Sequence, residues 1–253
     1  MKIAVRAGHG ELCPGASALI NELTEDRNVK DAVIKYLREL GHEVLDVTPP
    51  VNYTSSLGTD LAYAVNKANS WGAELFVSIH FNKAYDHYNG KIGSEVCVYS
   101  RNDYAERVVN ALSGLGFENR GQKVRKGLYE LNNTKMNAMI VETCFIEATE
   151  DVALYKRLGA DAVGKAIAEA ISNKKTIVTP PPQANTNTSN SNGSYLVKIT
   201  ADVLNVRKGP GTNHAVVTTV KQNDVYTIVE ESNGWGKLKS GAGWISLSYT
   251  TKL

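Results

Sequence analysis

A chain of 253 residues has room for one large domain or two smaller ones, and 42% hydrophobic with 21% charged residues describes an ordinary globular protein with a real core. A net charge of +2 is too small to argue for nucleic acid, and no apolar run approaches the ~20 residues of a membrane helix, so neither nucleic-acid binding nor membrane insertion is expected. Cys13, Cys97 and Cys144 form no CxxC pair, which argues against a disulfide scaffold or a structural zinc knuckle.

In chain order, residues 1–9 do not form a signal peptide, because the apolar stretch is short and broken by Arg6. Synthesis in the cytoplasm without an export signal is expected. Apolar runs predict strands at Ile3–Ala7, Glu43–Val47, Leu75–Ile79, Glu95–Tyr99 and Ala138–Val141, with a weaker one at Leu128–Leu131. Between them, Val29, Ala32, Val33, Tyr36, Leu37 and Leu40 make a helical stripe that Gly41 ends. Leu61, Ala64, Val65, Ala68 mark a second helix. Ala105, Val108, Val109, Leu112 mark a third, and Val163, Ala166, Ile167, Ala170, Ile171 the last. This alternation predicts an α/β domain over residues 1–175, a mostly parallel twisted sheet flanked by helices.

Residues 176–193 hold three prolines followed by Asn, Thr and Ser, a composition that buries no core and reads as a linker. Residues 194–253 have no helical periodicity. Short β runs at Val216–Val220, Val225–Val229, Gly236–Leu238 and Gly243–Ile245 are separated by turns such as Gly209-Pro210-Gly211 and Asn233-Gly234. A small all-β, SH3-like barrel is the expected closure. This segment carries seven basic and four acidic residues (+3) against −3 for residues 1–173, which suits an anionic polymer.

In open α/β sheets, chemistry gathers at the carboxyl ends of strands. His9 follows the first strand after one glycine, His80 directly follows the third, and Glu142 directly follows Ala138–Val141. Two imidazoles and a carboxylate suit a catalytic zinc, which takes three protein ligands and leaves a position open. Such a metal lowers the pKa of bound water to about 7. A further carboxylate must act as base, and the carboxylate ending an apolar strand, Glu142, favours a functional role. The third ligand should come from the first helix, where Glu22, Glu25 and Asp26 all lie near the sheet-facing side; spacing does not choose among them. His42, which begins a strand, reads as structural, and His87 and His214 as solvated loop residues. Cys97 and Cys144 read as buried packing. Asn82 is placed near the pocket mouth as a substrate contact.

The segments Arg-Ala-Gly-His-Gly (6–10), Gly-Ala-Ser-Ala-Leu-Ile-Asn-Glu (15–22), Val-Ser-Ile-His-Phe-Asn (77–82) and Val-Glu-Thr-Cys-Phe-Ile (141–146) resemble the motifs of zinc N-acetylmuramoyl-L-alanine amidases, especially those of phage endolysins. The resemblance spans residues 1–173. It implies one zinc held by His9, Glu22 and His80, with Glu142 as catalytic base and Glu25 as the weaker ligand candidate. Arg6-Ala7 stands where that family often has Asp-Pro. Leu204-Asn205-Val206-Arg207-Lys208-Gly209-Pro210-Gly211, with Gly243-Trp244-Ile245-Ser246, resembles bacterial SH3-type wall-binding domains. There Tyr195, Trp235, Trp244 and Tyr249 are candidates for a wall-binding groove, Trp235 and Trp244 foremost.

The two resemblances together imply an endolysin that cuts the bond between N-acetylmuramic acid and L-alanine in a Gram-positive cell wall, reached after holin-type release. A zinc peptidase acting on the stem peptide, a host autolysin with the same amidase activity and a non-catalytic wall-binding adaptor are the competing expectations.

Overall fold

The computed structural model describes residues 1–176, 194–212, 214–232 and 234–253. The chain divides into two compact units, Met1–Val178 and Thr179–Leu253. Apart from Thr176, the expected linker lies outside the described residues, as does Asn233 of the expected Asn-Gly turn.

The first unit runs β1 (Lys2–Ala7), α1 (Glu22–Glu39), β2 (Glu43–Asp46), α2 (Leu57–Trp71), β3 (Leu75–Asn82), β4 (Ser94–Val98), α3 (Asp103–Gly114), β5 (Asn119–Val124), α4 (Tyr129–Asn133), β6 (Asn137–Phe145), α5 (Thr149–Leu158) and α6 (Ala160–Ser172). Helices begin where a short polar side chain can take an orphan amide: Asn21, Ser56 and Asn102 accept from Thr24, Thr59 and Ala105. α1 stops as expected at Gly41, which adopts φ 85°.

The sheet order is β2-β1-β3-β6-β4-β5. β2, β1, β3 and β6 are parallel, whereas β4 runs antiparallel to β6 and carries β5 parallel to itself. The amino end of β4 therefore lies beside the carboxyl end of β6, with Glu95 opposite Glu142.

Strand parity sorts the side chains into two layers. Ile3, Val5, Val77, Ile79, Met139 and Val141 pack against α1, α3 and α6 through Val29, Val33, Leu37, Val108, Leu112, Ile167 and Ile171. Each such burial stabilises by about 1.5–3 kcal/mol. The alternate positions Ala4, Phe76, Ala138 and Ile140 pack with Ala64, Ala68 and Leu131 of α2 and α4. Continuing the same parity places Arg6, Ser78, His80 and Glu142 on that second face.

Three expectations are corrected. Leu128–Leu131 is not a strand: Leu128 caps α4, and leucines three apart fit a helical turn. β5 and α5 were not expected; β5 buries only Gln122 fully and so shows no apolar alternation. His80 and Glu142 lie within β3 and β6, not after them, and oppose each other in register. A register shift follows directly, between His80 and Asn82.

The second unit is all β. Its strands are β7 (Tyr195–Ile199), β8 (Val203–Arg207), β9 (Val216–Lys221), β10 (Val225–Ser232), β11 (Trp235–Leu238), β12 (Trp244–Ser246) and β13 (Thr250–Lys252). They pair antiparallel in the order β13-β7-β10-β11-β12-β8-β9 around a core of Val197, Ile199, Leu204, Val206, Val220, Ile228, Leu238 and Ile245.

Candidate active site

The turn after β1 is pinned to its neighbour by Gly8 N–H, which donates to the Ile79 carbonyl at 2.8 Å. His9 follows. Its backbone N–H donates to Asp26 Oδ2 at 3.1 Å, and its Nδ1 lies 3.2 Å from the Cys13 carbonyl. The other ring nitrogen, Nε2, faces Glu22 Oε1 at 3.3 Å. His80 brings Nδ1 to the same oxygen at 3.2 Å. The two imidazoles meet edge to face with centroids 4.9 Å apart.

Glu22 is the first residue of α1 and is 4% exposed. Its Oε1 also accepts from Phe81 N–H at 3.1 Å, and its Oε2 from Ala16 N–H at 2.8 Å. Burial alone would raise its pKa, but the hydrogen bonds from His80 and His9 hold it well below the usual carboxylate range. Close approach requires small neighbours. A Cβ on Gly8 would fall 2.3 Å from the His80 ring, and one on Gly15 would fall 2.2 Å from Glu22 Oε2.

One donor atom each from His9, Glu22 and His80 lies within 4.8 Å of the others. Tetrahedral zinc with bonds of about 2.0–2.1 Å separates its ligands by roughly 3.3 Å. The two Glu22–histidine spacings of 3.2 and 3.3 Å fit that requirement, and so does the nitrogen and oxygen chemistry of the set. Glu25 stands apart: its Oε2 accepts from the Tyr155 hydroxyl at 2.6 Å and from Asn28 at 3.0 Å. Asp26 supports the His9 backbone, and burial pushes its pKa up to about 6.

Glu142 opposes His80 in register. Burial pushes its pKa up to about 7, with Glu22 and Glu95 adding to the rise against the opposing pull of His80 and His9. Burial disfavours charge on His80 too, yet the carboxylates of Glu22, Glu142 and Glu130 raise it to about 9. Asn82, half-buried at the end of β3, donates to Glu95 Oε1 at 3.4 Å, while Arg120 Nε holds Glu95 Oε2 at 2.8 Å. The arrangement can hold a divalent metal on one side and move a proton on the other.

The sequence reading missed Glu95, Arg120, Glu130 and Asp60. Glu95 had a signal, a carboxylate opening an apolar strand. The other three had none. His42 bonds Ser172 Oγ at 2.8 Å, a structural role, and His87 is exposed. His214, expected to be solvated, is half-buried, with its ring packed where a Cβ on Gly209 would lie. Cys144 is fully buried, which pushes its thiol pKa well above the usual range and removes it as a nucleophile. Trp244 is 8% exposed, with Lys237 Nζ 5.7 Å from its ring centre; Trp235 and Tyr195 are half-buried and Tyr249 is exposed.

The N-acetylmuramoyl-L-alanine amidase family profile matches residues 3–173, and the bacterial SH3 domain profile matches residues 202–251. The chain therefore belongs to the N-acetylmuramoyl-L-alanine amidase family and carries a bacterial SH3 domain. An uncharacterised protein of Clostridium perfringens strain 13 is 49% identical over 180 residues, 69% of this chain and 52% of that one. An uncharacterised 38.4 kDa protein of Clostridium perfringens is 42% identical over 242 residues, 91% of this chain and 70% of that one. The chain thus spans about half the length of the first relative. The catalytic domain of an endolysin targeting Clostridia Difficile superposes with TM-score 0.63 at 31% identity, covering 69% of this chain and 98% of that domain.

Proposed function

We propose that this protein hydrolyses the amide bond between N-acetylmuramic acid and L-alanine in peptidoglycan, with zinc held by His9, Glu22 and His80. The observation that carries the reading is the pair of imidazole nitrogens at 3.2 and 3.3 Å from one ionised Glu22 oxygen, with Glu142 in register beside them. When bound, zinc supplies Lewis acidity toward the scissile carbonyl and lowers the pKa of a water to about 7. Glu142 takes the proton of the attacking water and hands it to the leaving amine of L-alanine. A group with a pKa near 7 can serve in both directions at neutral pH. Glu22 is held ionised and serves as a ligand only.

Residues 1–175 form the catalytic domain, 176–193 the linker and 194–253 the domain that holds the wall of a Gram-positive bacterium. Asn82 contacts substrate at the site's mouth, and Trp235 and Trp244 contact the wall. The enzyme acts as an endolysin, released from the cytoplasm through a holin-type hole. Mass spectrometry of digested Gram-positive wall tests the bond assignment: new L-alanine amino termini without new reducing sugars are expected. Reducing ends would overturn it, and a free amine on another stem residue would indicate a peptidase. Glu142→Gln should abolish lysis while one zinc per chain remains.

A further inference from the structure

Beneath the two histidines lies a buried ionic cluster that the proposed chemistry does not use. Arg6 is fully buried in β1. Its Nη2 donates to Asp60 Oδ2 and to the Gly8 carbonyl, both at 2.7 Å, and its Nε donates to the Ala7 carbonyl at 2.7 Å. Its Nη1 lies 3.0 Å from Glu130 Oε1. Ser78 Oγ donates to the same Glu130 oxygen at 3.3 Å. One guanidinium thus braces the backbone on the amino side of His9 and fixes one oxygen of Glu130.

The other oxygen, Glu130 Oε2, lies 4.0 Å from His80 Nε2. That nitrogen is buried and has no hydrogen-bond partner among the described residues. Two buried carboxylates, Asp60 and Glu130, share one buried cation. A surplus buried carboxylate is costly unless another donor reaches it. His80 Nε2–H is the donor that faces it. Histidines that bind a metal through one nitrogen characteristically give the other N–H to a carboxylate, which fixes tautomer and ring angle.

We propose that Glu130, anchored by Arg6 and Ser78, is the positioning residue for His80: its Oε2 accepts Nε2–H and leaves Nδ1 unprotonated, its lone pair free for the metal on the side of Glu22. The short helix α4 serves this purpose by turning Glu130 inward, where it is 3% exposed. The inference rests on the reading of His9, Glu22 and His80 as the zinc ligands.

The test uses the full chain, wild type and with Glu130→Gln, Glu130→Ala and Glu130→Asp. Zinc affinity is measured by chelator competition, and the cobalt-substituted visible spectrum reports ligand geometry. Zinc affinity should loosen about 10–100-fold in Glu130→Ala, less in Glu130→Gln, with partial rescue in Glu130→Asp. The cobalt spectrum should change, and kcat should fall with KM nearly constant. In zinc-loaded wild type, long-range proton–nitrogen NMR should place the His80 proton on Nε2. Should Glu130→Ala fail to fold, the isosteric Glu130→Gln decides. Wild-type zinc affinity and cobalt spectrum retained in Glu130→Gln, or a His80 proton found on Nδ1, would overturn the proposal. Wild type that binds no stoichiometric zinc would instead overturn the ligand assignment beneath it.

Discussion

Glu142 occupies a place that favours its neutral form, so Glu142→Gln should stabilise the metal-free protein while destroying its activity. Folding raises the pKa of this carboxyl from 4.5 to about 7, chiefly by burial. At ~1.4 kcal/mol per pH unit, that rise corresponds to about 3 kcal/mol. The sign follows from linkage. Below pH 4.5 the group is protonated folded or unfolded and costs nothing. Between pH 4.5 and 7 the folded state keeps a proton that the unfolded chain has released, so stability declines as pH rises. Above pH 7 the full penalty is present. A glutamine, neutral at every pH, escapes it. The variant should therefore gain about 3 kcal/mol at pH 8 and less than about 1 kcal/mol at pH 5, a rise in Tm of roughly 6–12 °C at the higher pH. Chelator-treated protein followed at 222 nm reports the first unit, because the α-helices of the described residues lie there. No gain at pH 8, or an equal gain at pH 5, would refute the assignment of the half-buried Glu142 carboxylate as a stored cost.

Other substitutions probe the surrounding supports. Gly8→Ala places a Cβ 2.3 Å from the His80 ring and should strip the metal while the fold survives, read by zinc content and circular dichroism. Glu25→Gln should retain one zinc per chain and cost only about 1 kcal/mol through the weakened Tyr155 hydrogen bond; zinc loss would reinstate Glu25 as a ligand. Arg6→Met leaves Asp60 and Glu130 without their cation, and should cost about 3–5 kcal/mol in urea denaturation. In the SH3 unit, Trp244→Ala should cost about 3–5 kcal/mol, whereas Tyr249→Ala should stay within about 0.5 kcal/mol, because the first side chain is buried and the second is exposed.

How far the site could be read from the sequence depends on how many elements each residue needs to be placed. His9, His80 and Glu142 each need only one: a strand and its carboxyl end, where apolar alternation gives way to a polar side chain. Even there the reading stopped β3 and β6 too soon, because a His and a Glu looked like strand ends when they are in-register neighbours inside the sheet. Glu22 and Glu25 need two elements. They sit one helical turn apart, and both face inward. The structure separates them through Tyr155, which belongs to α5, a helix the apolar pattern did not announce. The Arg6–Asp60–Glu130 cluster needs four elements. Arg6 is on β1, Asp60 on the first turn of α2, Glu130 on α4 and Ser78 on β3, and Glu130 lay in a segment expected to be a strand. Strand parity does connect two of these, since Arg6 and Ser78 occupy the same face as His80 and Glu142. A buried arginine on that face demands carboxylates from somewhere. Local patterning can state the demand, but only the packing of α2 and α4 over the sheet says which carboxylates answer it, and one of those two then stands beside His80 with an oxygen to spare.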